Sequence, residues 1–191
     1  MTEQLRVGLD AWVIQDGNYG DFMQGRRYAF ALEFWSPAPI VVRHPDAVNA
    51  PPSMTWLRGS TYAVKGKVSF VADGWWVLDA GILMYLDHTP APGPGGTPVR
   101  GEISVSIDHF AYFESLARQA GAPPLIYDWH VEAIELDTTP LVETKLNYFE
   151  RDLTRQSWKA TRHTEAWKDS GGHAAYLLTC TRLPTEPRHK R

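Results

Sequence analysis

The chain is 191 residues long and holds a single cysteine, Cys180. No disulfide can form within it, so its core must hold the fold, as suits a reducing compartment. Neither charge dominates: 19 Lys and Arg against 22 Asp and Glu give a net charge of −3. That argues against a dominant phosphate-binding face, which normally carries a strong basic excess. The apolar run from Trp75 to Leu86 is short and broken by Asp79, so it cannot span a bilayer. The opening MTEQLRVGLD has no basic region followed by an apolar stretch, so no signal peptide is expected. These absences together predict a cytoplasmic protein without membrane contact. No GxSxG, HExxH, GxGxxG or phosphate-loop pattern occurs. Pro92-Gly93-Pro94-Gly95-Gly96 has glycines but lacks the Lys-Ser/Thr of a phosphate loop. No catalytic residue, metal site or cofactor is assigned.

What the chain does have is aromatic side chains. Eight Trp, eight Tyr and seven Phe make 12% of the sequence. Aromatics favour strands, and they also build surfaces that hold ligands or partners. The length suits one domain with a substantial core. One β-rich domain is expected over 1–183, with a disordered basic tail at 184–191.

The stretch YAVKGKVSFVADGWWVLDAGILMYL, from Tyr62 to Leu86, is the most informative. Tyr62, Val64, Gly66, Val68 and Phe70 share one parity with Trp76, Leu78, Ala80, Ile82 and Met84. Strand side chains alternate faces, so each run offers one apolar side. A two-residue Asp73-Gly74 turn would set those sides opposite one another. A three-residue Ala72-Asp73-Gly74 loop with Gly74 left-handed brings them together. The predicted pairs are Phe70–Trp76, Val68–Leu78, Gly66–Ala80, Val64–Ile82 and Tyr62–Met84, with Lys67 opposite Asp79.

Other segments read similarly. Leu5–Ile14 and Tyr28–Trp35 are predicted strands. Ser36–Gly59, with five prolines, is a traversing loop. Thr89–Pro98 is a loop tip. Val99–Ile107 alternates cleanly, with Val99, Ile103, Val105 and Ile107 inward. Asp108 caps a short helix over Phe110–Ala120, and Gly121 ends it. Leu125–Leu136 is a strand whose phase breaks near Ala133, the mark of a β-bulge. Leu141–Arg155 fits strand and helix equally. Ser157–Trp167 suits an edge ribbon, Lys168–Gly172 a turn, and Ala174–Leu183 a last strand.

The order of a glycine-bearing strand Tyr62–Val71, its partner to Leu86, Val99–Ile107, a short helix and Leu125–Leu136 resembles an OB-fold barrel. The resemblance covers about residues 60–136. It implies an all-β fold with little α: an antiparallel OB-like barrel with N-terminal strands and a C-terminal hairpin.

Three functional expectations follow. The first is a non-enzymatic binding or protein-interaction module. Its aromatic surface would lie on the non-core face of the hairpin, with Trp75, Tyr85 and Lys67 there and Tyr19 in the glycine-rich loop Asp16–Phe22. The second uses the same face for single-stranded nucleic acid: aromatics stack bases and Lys follows phosphate. The third is a metal-dependent hydrolase built on the pairs Asp87-His88, Asp108-His109 and Asp128 with His130, since carboxylate and imidazole bind Zn²⁺ or relay protons. The acidic balance favours a protein partner over nucleic acid.

Overall fold

The computed structural model describes residues 4–42, 51–146, 148–168 and 173–190. In chain order the elements are β1 (Gln4–Asp10), α1 (Ala11–Gln15), β2 (Arg27–Phe30), β3 (Leu32–Trp35), β4 (Val41–Val42), β5 (Ser53–Arg58), β6 (Thr61–Ala72), β7 (Trp75–Asp79), β8 (Leu83–Asp87) and β9 (Pro98–Ile107). They continue with α2 (Ala111–Glu114), β10 (Tyr127–Asp137), β11 (Leu141–Lys145), β12 (Tyr148–Arg151), β13 (Trp158–Thr161) and β14 (Ala175–Arg182). Strand makes up 52% and helix 10%, and five strands close a β-barrel. The all-β barrel expected from the alternation is present.

The barrel runs β9-β3-β8-β7-β6 and back to β9. Its contacts are antiparallel except β3–β8, which meet in parallel at Glu33↔Tyr85. The strand expected to complete it, Leu125–Leu136, is β10 and lies outside. Its place is taken by β3, from far earlier in the chain. Pairing between residues so distant in sequence leaves no local trace. Phe34, Val64, Val68, Trp76, Leu78, Met84, Ile103 and Val105 fill the interior.

The Asp73-Gly74 hairpin brings Val68 and Leu78 to one face as predicted, but by another route. Lys67↔Asp79 and Val68↔Leu78 pair as expected, but beyond them the register is Phe70↔Val77, Val71↔Trp76 and Ala72↔Trp75. The turn therefore has two residues, and the extra residue sits at Ser69 as a β-bulge. Only Gly74 is left-handed, with φ +79°. A bulge at either place restores parity, so periodicity cannot distinguish them. The predicted Phe70–Trp76, Gly66–Ala80, Val64–Ile82 and Tyr62–Met84 pairs do not form, and Phe70 packs on Trp75 at the outer face instead of inward. Ala80-Gly81-Ile82 turns the chain into β8, and Gly81 has φ +98°. The first half of β6 pairs instead with β9 and β5. Gly66 marks the divergence. A Cβ there would lie 2.2 Å from the Asp79 carbonyl oxygen, so only glycine permits the crossing.

An outer sheet, β13-β10-β14-β1, continues from the barrel through β1 and β9. The predicted strand Tyr28–Trp35 breaks at Ala31: β2 pairs with β10 in the outer sheet and β3 with β9 in the barrel. The bulge expected near Ala133 falls between Val131 and Ala133. The C-terminal strands do not form the expected hairpin, because β10 lies between β13 and β14. The predicted strand Leu5–Ile14 ends at Asp10, and its off-phase Trp12 and Ile14 belong to α1. The loop Ser36–Gly59 contains β4 and β5, with residues 43–50 outside the described residues. The turn 168–172 also lies largely outside them. The helix after β9 is shorter than expected, with α2 followed by a 3-10 turn at Leu116–Arg118, and Gly121 is left-handed as predicted, with φ +78°.

The tail expected to be disordered is anchored instead. Arg188 exchanges two backbone hydrogen bonds with Ile126 at 2.9 Å, and its guanidinium grips Asp128 at 2.7 and 2.9 Å. A basic tail reads as solvated until the strand end that receives it is known.

Candidate binding site

The aromatic face singled out in the sequence is covered. Trp75 is 1% exposed and Tyr85 fully buried, together with Val77, in a second apolar cluster closed by Tyr112, Leu116, Leu125 and Ile126. The helical segment after β9 lies over the outer face of β7 and β8, and burying those rings is what docks it. The Trp75 indole donates to Gln119 Oε1 at 2.9 Å. Tyr19 is also a core residue, packed on Phe22 and Phe110. Its loop is fixed by Asp21, whose Oδ1 accepts from Thr164 Oγ1 and the Ala166 amide. Lys67 is the one candidate left at the surface, 3.8 Å from Asp79. Trp75 and Tyr85 meet, their ring centroids 6.4 Å apart, while Tyr19 and Lys67 lie elsewhere, and the three aromatic rings are buried.

The acid–His pairs do not gather into one site. Asp128 is taken by Arg188, while His130 meets Glu132 at 3.0 Å. His88 stays at the surface 3.4 Å from Asp87. Among the described residues, no group of three or more His, Cys, Asp or Glu is placed to hold a metal ion. Cys180 is buried, and burial pushes its thiol pKa up, away from thiolate chemistry.

Asp108 and His109 have different work. Asp108 Oδ1 accepts from the Phe110 and Tyr112 amides at 3.0 and 3.1 Å and from the Tyr85 hydroxyl at 2.5 Å. Those bonds hold Phe110 at φ +99°, a conformation that costs a bulky residue energy. Burial raises the Asp108 pKa, and burial beside Asp108 carries the Tyr85 hydroxyl well above its usual value. His109 Nδ1 is hydrogen-bonded to Glu33 Oε2, and that carboxylate raises the imidazole pKa against the smaller effect of burial. Ser106 Oγ donates to Glu33 Oε1 at 3.1 Å.

Glu33 leads to a cleft the sequence did not reveal. β1 meets β9 through one parallel pair, Gly8↔Ser106, and the two sheets diverge from it. The crevice has a volume of about 400 Å³, within the range of small-molecule sites. β1 supplies Asp10, α1 supplies Trp12, and β3 supplies Glu33 and Trp35. The β5–β6 connection adds Arg58 to Thr61, and the far wall holds Gln156 and Trp158. Burial in the crevice raises the Asp10 carboxyl pKa, opposed by a hydrogen bond from Trp12. The signals for this site were faint: Trp12 is out of phase in its strand, and Trp35 stands at a strand end before Ser-Pro. Beyond Trp35 lies a second, more apolar hollow of about 620 Å³ between Pro37–Ile40 and Thr89–Pro92, with Trp76 in its wall.

A third feature is the ribbon β11–β12. Its strands pair with each other and with no other described strand. Arg151 bolts its base, bonding to Asp137 at 3.1 Å and to the Thr139 and His173 carbonyls. Toward the tip, Leu146 is 89% exposed, with Leu141, Tyr148, Phe149 and Leu153 also open to solvent. Leu141 and Phe149 are diagonal neighbours on one face of the ribbon. These out-of-phase apolar residues made Leu141–Arg155 ambiguous as sequence.

No family model, curated protein or solved structure matches this chain. Among the described residues, no helix is long and apolar enough to cross a membrane.

Proposed function

We propose that the protein is a cytoplasmic, non-enzymatic interaction module that captures a partner protein through the β11–β12 ribbon. The observation that carries this reading is the set of open apolar side chains Leu141, Leu146, Tyr148 and Phe149 on the ribbon, with Leu153 in the 3-10 turn that follows it, on strands that pair with no third strand among the described residues. Leaving such groups in water forgoes burial worth about 1.5–3 kcal/mol per large side chain. Exposed clusters of that kind mark contact surfaces. Among the described residues neither ribbon strand pairs with a third strand, so a partner strand can add to the ribbon's edges.

The test is the double variant Leu146→Lys with Phe149→Lys, compared with wild type by crosslinking from a photoreactive group at Thr144. Crosslinks to a protein partner should form in the wild type and disappear in the variant, while the unfolding free energy stays within about 0.5 kcal/mol of wild type. Equal crosslinking by both proteins would remove the ribbon from the binding surface.

A further inference from the structure

The cleft between the barrel and the outer sheet is a separate feature, and it points to a separate ligand. Its walls carry Trp12 and Trp35, which are 44% and 54% exposed although each sits in regular structure. An indole in water at the mouth of a concave site is a platform for a flat, weakly polar surface. The same cleft is lined by hydrogen-bonding groups of both kinds. Asp10 accepts, Arg58 and Gln156 donate, and the Ser106 hydroxyl does both.

The charge balance narrows the choice. Glu33 is occupied by Ser106 and His109, and Asp10 faces a site that also holds Arg58. An anion such as phosphate would meet two carboxylates, and a cation would meet the guanidinium. A neutral ligand that donates and accepts at many points avoids both costs. A purely apolar ligand would displace water from Arg58 and Asp10 and return no hydrogen bond, leaving Asp10 only its bond from Trp12. The remaining class has hydroxyls around its rim and a C–H face that lies flat on an aromatic ring. That is a pyranose sugar.

We propose that this cleft binds a neutral oligosaccharide, its rings stacked on Trp12 and Trp35 and its hydroxyls held by Asp10, Arg58 and Gln156. The site is independent of the ribbon. Trp158 in the cleft's far wall pairs with Asp137 at the ribbon's base, but none of the ribbon's exposed apolar residues lines the cleft. The single Gly8↔Ser106 pair sets the width of the crevice, since β1 and β9 cannot separate further without losing it. Volume and lining suit a short stretch of chain entering from the side, not an enclosed monosaccharide.

The test uses the full chain with a panel of neutral cello-, xylo-, malto-, manno- and chito-oligosaccharides, read by titration calorimetry up to about 10 mM. At least one should bind saturably. Trp35→Ala should weaken it at least about tenfold, which corresponds to about 1.4 kcal/mol for the lost platform. Asp10→Asn keeps the shape of the side chain and should weaken binding by a similar factor without lowering the unfolding midpoint. The ribbon variant Leu146→Lys with Phe149→Lys should bind as wild type does, which separates the two sites. No saturable binding across the panel would overturn the proposal. So would binding undiminished in Trp35→Ala and Asp10→Asn, or tighter binding of a polyamine or an oligonucleotide than of any sugar.

Discussion

Replacing Gly66 by alanine tests the crossing on which the barrel depends. A Cβ at this position would sit 2.2 Å from the Asp79 carbonyl oxygen, 3.0 Å from its carbon and 3.0 Å from Leu78 Cδ1. Carbon and oxygen do not approach within about 3 Å without overlap, so β6 and β7 must separate by roughly 1 Å. The obstacle is backbone, which cannot rotate aside as a side chain can. Separation loosens the neighbouring pairs Lys67↔Asp79 and Val68↔Leu78, and Val68 and Leu78 are both fully buried. Overpacking in a core costs about 1–3 kcal/mol when side chains can adjust. A rigid clash belongs above that, at roughly 3–5 kcal/mol. For a domain of this size each kcal/mol moves the melting temperature by about 2–4 °C, so a fall of at least about 6 °C is expected. Gly101→Ala is the control, because its nearest neighbour is Ile40 Cγ1 at 3.4 Å and the cost should stay below about 1 kcal/mol. Urea unfolding followed by tryptophan fluorescence measures both. If Gly66→Ala lies within 1 kcal/mol of wild type, β6 does not cross over Asp79 and the barrel closure described above is wrong.

Three further outcomes follow from the same contacts. Asp108→Ala strands the Tyr85 hydroxyl and the Phe110 and Tyr112 amides, and it should lower stability by about 3–5 kcal/mol in chemical denaturation; a loss under 1 kcal/mol would show that water replaces the carboxylate without cost. His109 has a raised pKa in the folded state, so its contribution is fully present below the ordinary value of 6.5 and is lost as pH climbs through the raised one. The stability difference between wild type and His109→Gln should therefore shrink across that window in paired denaturation curves, and a difference that grows with pH would refute the Glu33 pairing. Deleting residues 184–191 removes the Arg188–Asp128 pair and both Ile126 backbone bonds. Amide hydrogen exchange at Ile126 should accelerate, and unchanged protection there would mean the tail is not docked.

Val99–Ile107 was legible because alternation is a property of the strand itself. The bulge near Ala133 was legible as a phase break, and Gly74 and Gly121 as positions needing left-handed backbone. Lys67 opposite Asp79 was read correctly, yet the turn beside it was not. Alternation reports the parity of a bulge and not its position, so Ser69 could not be told from Ala72. The helical segment after Asp108 was seen, but its length and its landing place were not. That landing decided the fate of Trp75 and Tyr85: a strand with two apolar faces reads the same whether its outer face meets a partner or its own chain.

By itself, then, the order of residues determined the long alternating strands and the inward faces of Val99–Ile107, the absence of an internal disulfide and the left-handed turns at Gly74 and Gly121. These are local matters, settled by side-chain alternation and backbone sterics. Only the tertiary structure decided that β3 closes the barrel, that α2 covers Trp75, that Arg188 reaches Asp128 and that Trp12 and Trp35 flank a cleft. Each of those pairs residues far apart in the chain, and their meeting depends on which apolar surfaces find one another when the whole core is buried.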